Sequence, residues 1–126
     1  AGIRLLVEPI NPMDIPGFLV NSSGDYEYLA AAVGHDNLWL QYDFYHMQIV
    51  RGDLIREFKR LQRRIAHVQI ADNPGRNEPG TGEINYATIF SMLDDAGYAG
   101  WVGAEYRPKG ATSAGLGWFD GFRARA

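Results

Sequence analysis

Apolar residues gather in four short runs along the chain, at positions 3–7, 38–42, 66–70 and 101–104. The first three are each followed by polar loop chemistry and then by a stretch, 25–33, 54–65 and 86–96, in which apolar residues recur at helical spacing between charges. Short continuous apolar runs suit strands buried on both faces of a parallel sheet, and the alternation of such runs with helix-period segments is the rhythm of β/α units. The pattern therefore predicts an α/β fold. Punctuation agrees with it: Asp53 stands where a helix N-cap belongs, Arg60, Arg63 and Arg64 crowd the end of that helix, and Gly97 follows the next one. The segment 113–125 contains three glycines and reads as a short, irregular terminal helix at best. The stretch 72–83, rich in Gly, Pro and charge, is a long loop, and unstructured loops of about a dozen residues often serve as lids.

The runs begin at roughly thirty-residue intervals, the size of one β/α unit in a closed barrel of about 250 residues. Four units are half of that barrel. Residues 1–126 are thus expected to form a single domain corresponding to the C-terminal half of a TIM (β/α)8 barrel. An open doubly wound sheet is the rival architecture, but its first strand normally leads into a Gly-rich phosphate turn, and Glu8-Pro9-Ile10-Asn11-Pro12 is not one. Ala1-Gly2 lead at once into the first run without an initiator Met, so the chain reads as cut at a boundary between repeating units. A half barrel leaves two sheet edges and an apolar inner face open, from which follows an expectation of homo-oligomers or of pairing with an N-terminal half.

Composition narrows the function. Of 126 residues, 46% are hydrophobic and 21% charged, which suffices for a real core, and a net charge of −3 provides no basic field for nucleic acid or an anionic membrane. The partner expected is a small molecule. With no cysteine, catalysis must rest on carboxylates, histidine, lysine or a metal held by oxygen and nitrogen, and a reducing cytoplasm is the expected compartment. No apolar run approaches the ~20 residues of a membrane span.

Each run ends in, or runs up to, a residue able to bind a metal: Glu8, Asp43, Gln69 and Glu105. A lone acid at a strand end is ordinarily a solvated surface group. Four in the same position are different, because the C-terminal ends of parallel barrel strands converge on one mouth. Three carboxylates there would repel one another, whereas a Mg2+ or Mn2+ ion accepts oxygen ligands and keeps positions for water or substrate.

Several strings then carry a family resemblance: Leu6-Val7-Glu8-Pro9-Ile10-Asn11, Gln41-Tyr42-Asp43-Phe44-Tyr45-His46, His67-Val68-Gln69-Ile70-Ala71-Asp72, the segment 78–86, Gly103-Ala104-Glu105-Tyr106-Arg107-Pro108 and the closing 115–120. Together they resemble the C-terminal half of hydroxypyruvate isomerases, members of the xylose-isomerase-like barrels. The resemblance implies that Glu8, Asp43, Gln69 and Glu105 bind the divalent metal and that Glu8 and Glu105 are the acid–base pair. It implies interconversion of hydroxypyruvate and 2-hydroxy-3-oxopropanoate by metal-assisted proton transfer through an enediolate.

Further candidates surround this set. His46 is expected in the loop after the second strand, within reach of substrate, and His67 two residues before Gln69, on the same inward face. Arg76 and Glu78 are the candidates from the long loop, Arg76 because a guanidinium matches the carboxylate of hydroxypyruvate; Arg107 follows Glu105 and could meet the same group. For each, an ordinary hydrogen bond or a solvated charge is the competing role. His35 belongs to a surface turn, and the aromatics Trp39, Phe44, Tyr45, Trp101, Trp118 and Phe119 to packing. Competing functions are 2-oxo-tetronate isomerisation, which Asn11, Met13, Ile15 and the loop to Phe18 resemble less well, a non-catalytic half-barrel unit, and an endonuclease-type phosphodiesterase, disfavoured by three histidines and acidic charge.

Overall fold

A computed structural model describes residues 2–123. Its element order is β1 (Leu5–Val7), α1 (Ser23–Val33), β2 (Leu38–Asp43), α2 (Phe44–Val50), α3 (Leu54–Leu61), a 3-10 turn (Gln62–Arg64), β3 (Ile65–Ile70), α4 (Tyr86–Asp95), β4 (Val102–Ala104), a 3-10 segment (Thr112–Phe119) and α5 (Asp120–Arg123). The strands form one sheet in sequential order β1-β2-β3-β4, every pairing parallel. Four β/α units side by side, each strand next to its successor, are half of a (β/α)8 barrel.

The core lies between the sheet and its helices. Leu40 and Tyr42 of β2 and Val68 and Ile70 of β3 point to that side and meet Met47, Phe58, Leu61, Ile89 and Leu93. Tyr42, Phe44 and Phe58 pack ring against ring, with centroids 5.0 to 5.8 Å apart. Alternation sends Gln41 and Asp43, His67 and Gln69 to the opposite side, the inner face of the half barrel. Burial on both faces, as the apolar runs suggested, does not extend to the edge strands: Leu5 stays 65% exposed and Leu6 40% exposed, and Trp101 before β4 is 85% exposed.

Several local expectations need correction. β2 runs without a loop into α2, a helix the periodicity did not predict, because seven residues are too few to show a 3.6-residue repeat. His46 is accordingly helical rather than in a loop. Helix α1 starts at Ser23, capped by Ser22 and Asp25 in a reciprocal capping box. Asp53 does occupy the N-cap position of α3 but makes no capping bond; its backbone is left-handed, φ 47°, and its carboxylate pairs with Arg56 instead. The end of the chain matches the irregular helix expected of 113–125, as far as the described residues reach; positions 124 and 125 lie outside them.

The loop 72–83 is not a free flap. The buried Asp72 carboxylate accepts the backbone N–H of Asn73, Gly80 and Ile84 at 2.7 to 3.0 Å, and an isolated antiparallel bridge joins Asp72 to Asn77. Between the bridged residues the chain reverses through two left-handed positions, Gly75 at φ 98° and Arg76 at φ 56°. Glycine adopts that conformation freely; arginine adopts it at a cost that its surroundings must meet.

Candidate active site

Asp43 is the last residue of β2 and the N-cap of α2, and its two oxygens face different ways. Oδ1 accepts the Tyr45 N–H at 2.8 Å. Oδ2 is buried and has no hydrogen-bond partner, as are Glu8 Oε1 and His46 Nε2. Donor atoms of Glu8, Asp43 and His46 lie within 4.8 Å of one another. Three buried polar atoms left unmatched at one point mark a place built for something else, since such groups are almost always satisfied.

Around them the inner face supplies more polar groups. Gln41, in register with His67, donates its side-chain N–H to Glu8 Oε2 at 2.8 Å and to Gln69 Oε1 at 2.6 Å. The Glu105 backbone N–H continues the β3–β4 pairing to the Ile70 carbonyl, and its carboxylate takes the Arg76 guanidinium at 2.6 Å. The same guanidinium is 3.7 Å from Asp43 Oδ2 and rests over the Tyr45 ring, 5.3 Å from its centroid. Two carboxylates thus share one guanidinium, whose charge also reaches Glu8. Burial first, then Asp43 and Glu105, push Glu8 up to about 7. Burial also pushes Asp43 up to about 6, and burial followed by Arg76 pushes His46 down to about 4.

When all three acids are ionised, one arginine leaves two negative charges uncompensated, a balance a divalent cation restores. The donor set fits a hard cation. Glu8 and Asp43 present free oxygens to it, while the side-chain oxygen of Gln69 and one oxygen of Glu105 are engaged by Gln41 and Arg76.

The remaining candidates are placed as follows. His67 lies on the inner face below Gln69, and a Cβ on Gly103 would sit 3.1 Å from its Nε2. Arg107 engages through its backbone, donating to Arg76 O and accepting from Asn77 Nδ2, both at 2.7 Å. Glu78 is buried, and both its oxygens accept the Lys109 backbone N–H at 3.0 and 3.3 Å, so it clasps the long loop to the segment after β4.

Gln41, Asn11, Asp14 and Tyr45 form contacts that sequence reading did not assign. Gln41 was findable, because it precedes Asp43 by two and so shares its face. Asn11 Oδ1 accepts the Asp14 N–H at 2.9 Å, a local turn that asparagine favours, and the Asn11 Nδ2 donates to Asp14 Oδ2 at 3.0 Å. Nothing in the sequence tells that Asn11 also reaches His46, thirty-five residues away.

A family model described as xylose isomerase-like TIM barrel matches residues 1–122. The chain is 50% identical over 121 residues to a hydroxypyruvate isomerase of Escherichia coli, covering 96% of this chain and 47% of the relative. It is 47% identical over 124 residues to a 2-oxo-tetronate isomerase of Cupriavidus necator, covering 98% and 48% respectively. A crystal structure described as an AP endonuclease, family 2, from Brucella melitensis superposes with a TM-score of 0.92 at 44% identity, over 97% of this chain and 47% of that one. The chain spans about half the length of the curated relatives it matches.

Proposed function

The chain belongs to the xylose isomerase-like TIM barrel family, and from that premise we propose that it carries the active-site half of an isomerase interconverting hydroxypyruvate and 2-hydroxy-3-oxopropanoate. The observation that carries this reading is the meeting of Glu8 Oε1, Asp43 Oδ2 and His46 Nε2, buried and unmatched, at the mouth of the sheet. The name borne by the Escherichia coli relative supports it, and that of the Cupriavidus necator relative supports an isomerase of this family.

The reaction moves one carbon-bound proton to the neighbouring carbon. Taken from the hydroxymethyl carbon of hydroxypyruvate, it is returned to the former carbonyl carbon, while the hydroxyl proton passes from one oxygen to the other. Glu8 and Glu105 are the pair assigned to these transfers. A carboxyl pushed up to about 7 can both accept and release a proton near neutrality, which suits Glu8. Negative charge gathering on the substrate's carbonyl oxygen meets the unpartnered His46 Nε2. Arg76 is the group for the substrate carboxylate: once drawn to it, the guanidinium leaves Glu105 free to act. Glu8, Asp43, Gln69 and Glu105 would hold Mg2+ or Mn2+, which when bound supplies Lewis-acid polarisation of the substrate oxygens. His67 and Arg107 are further candidates to meet the substrate, whereas Glu78 would act through the loop it clasps.

The test is an assay with Mg2+ or Mn2+ on hydroxypyruvate and on 2-oxo-tetronate, using the chain alone and the chain mixed with the N-terminal half of a relative. Turnover of hydroxypyruvate with the higher kcat/KM is expected; preference for the longer acid would move the substrate to the second reading, which the Cupriavidus relative's name favours. Absence of both turnover and cation binding in every combination overturns the isomerase. Hydrolysis of abasic DNA, tested because of the Brucella structure's description, is not expected of a chain with net charge −3.

A further inference from the structure

His46 is wholly buried, and its two ring nitrogens meet opposite chemistry. Nδ1 faces two N–H groups of one residue: the Asn11 side-chain amide at 2.7 Å and the Asn11 backbone N–H at 3.3 Å. The amide cannot be turned round, because its orientation is set independently. Asn11 Oδ1 accepts the Asp14 N–H, and Asn11 Nδ2 donates to Asp14 Oδ2, which also receives the Tyr45 hydroxyl at 2.6 Å. A nitrogen opposite two donors must offer its lone pair. The ring proton is then on Nε2, and Nε2 lies 3.7 Å from Asp43 Oδ2 and 3.8 Å from Glu8 Oε1, too far for a hydrogen bond to either.

We propose that Asn11 is a positioning residue that locks His46 as the Nε2–H tautomer, which excludes His46 from cation coordination and makes it the fixed donor to an oxygen seated between Glu8 and Asp43. Coordination through Nε2 would require either loss of that proton, leaving an imidazolate, or a proton on Nδ1 pressed against two N–H groups. Three grouped side chains with metal-binding atoms therefore divide by role: two carboxylates for the cation, one imidazole for the substrate oxygen or a water. Only the identity of that oxygen rests on the isomerase reading; the tautomer does not.

The experiment is long-range 1H–15N correlation NMR on the histidine-labelled chain, in the assembly it forms in solution, with His46 assigned by its loss in His46→Gln. The expected spectrum has a pyrrole-like Nε2 and a pyridine-like Nδ1, unchanged when Mg2+ is added. A protonated Nδ1, or loss of the Nε2 proton on adding Mg2+, overturns the proposal without any recourse to turnover. Asn11→Asp presents an acceptor to Nδ1 and should move the proton there, with kcat lowered about ten- to a hundredfold and KM changed less. If that variant fails to fold, Asn11→Ser, which shortens the donor, should give mixed tautomers. An unaltered Nε2–H spectrum in a folded Asn11→Asp would show that Asn11 does not set the tautomer.

Discussion

Asp43 divides its two oxygens between tasks, one capping α2 and one left open at the site, and the helix that it caps places His46 beside it. Glu105 differs: its side chain is 55% exposed and its known partner is Arg76. Glu105→Gln should therefore lower kcat/KM by about a thousandfold or more while shifting the melting temperature by only a degree or two. Steady-state kinetics with a thermal melt checks both, and an unfolded variant would assign Glu105 a structural task. The raised pKa values of Glu8, about 7, and Asp43, about 6, make a pH prediction. A carboxyl whose folded pKa lies above its unfolded one favours folding at low pH, and that stability is lost as pH rises through 6 to 7. Glu57, pushed down to about 2 first by its bond to Arg60, has its transition well below this window, and His46, pushed down to about 4, works in the opposite direction up to the ordinary imidazole value but is outweighed by the two carboxyls together. Melts in chelator should fall from pH 5 to pH 8, and Mn2+ should raise the melting temperature more at pH 8 than at pH 5. Equal cation shifts at the two pH values would contradict the placement of the cation on these carboxylates.

At the scale of elements, the loop 72–83 depends on one buried acid. Asp72→Ala strands three N–H groups, of Asn73, Gly80 and Ile84, and should cost roughly 2–4 kcal/mol in urea denaturation. It should also loosen Arg76, so that any surviving activity shows a raised KM for substrate; an undisturbed KM in a destabilised protein would mean that the loop's order and Arg76's position are independent. Strands and the longer helices were legible here because their apolar residues repeat over enough length. Helix α2 was not, at seven residues, and neither was the order within the loop, which comes from a carboxylate reaching backbone groups up to twelve positions away. The capping of α1 by Ser22 could have been read from Ser22 and Asp25, three apart.

For the whole molecule the open edges decide behaviour. Among the described residues β1 pairs only with β2 and β4 only with β3, and Leu5, Leu6 and Trp101 stand exposed beside them. Unpaired edges with apolar flanks favour association. Analytical ultracentrifugation should show the purified chain as a dimer or larger, or as a one-to-one complex when an N-terminal half is supplied; a monodisperse monomer with cooperative thermal unfolding in both cases would contradict this. Among the described residues, no helix is long and apolar enough to cross a membrane.

From the sequence alone came the parallel β/α order, the half-barrel size and the four strand-end residues Glu8, Asp43, Gln69 and Glu105, because strand period and strand position are local properties of the chain. Tertiary structure decided how those residues are used. Only packing brings Gln41 between Glu8 and Gln69, sets Arg76 against Glu105, clasps Glu78 to Lys109, and turns Asn11 onto His46. These are hydrogen bonds between residues about thirty positions apart, and a hydrogen bond's direction depends on which atom faces which, something no spacing along a chain encodes.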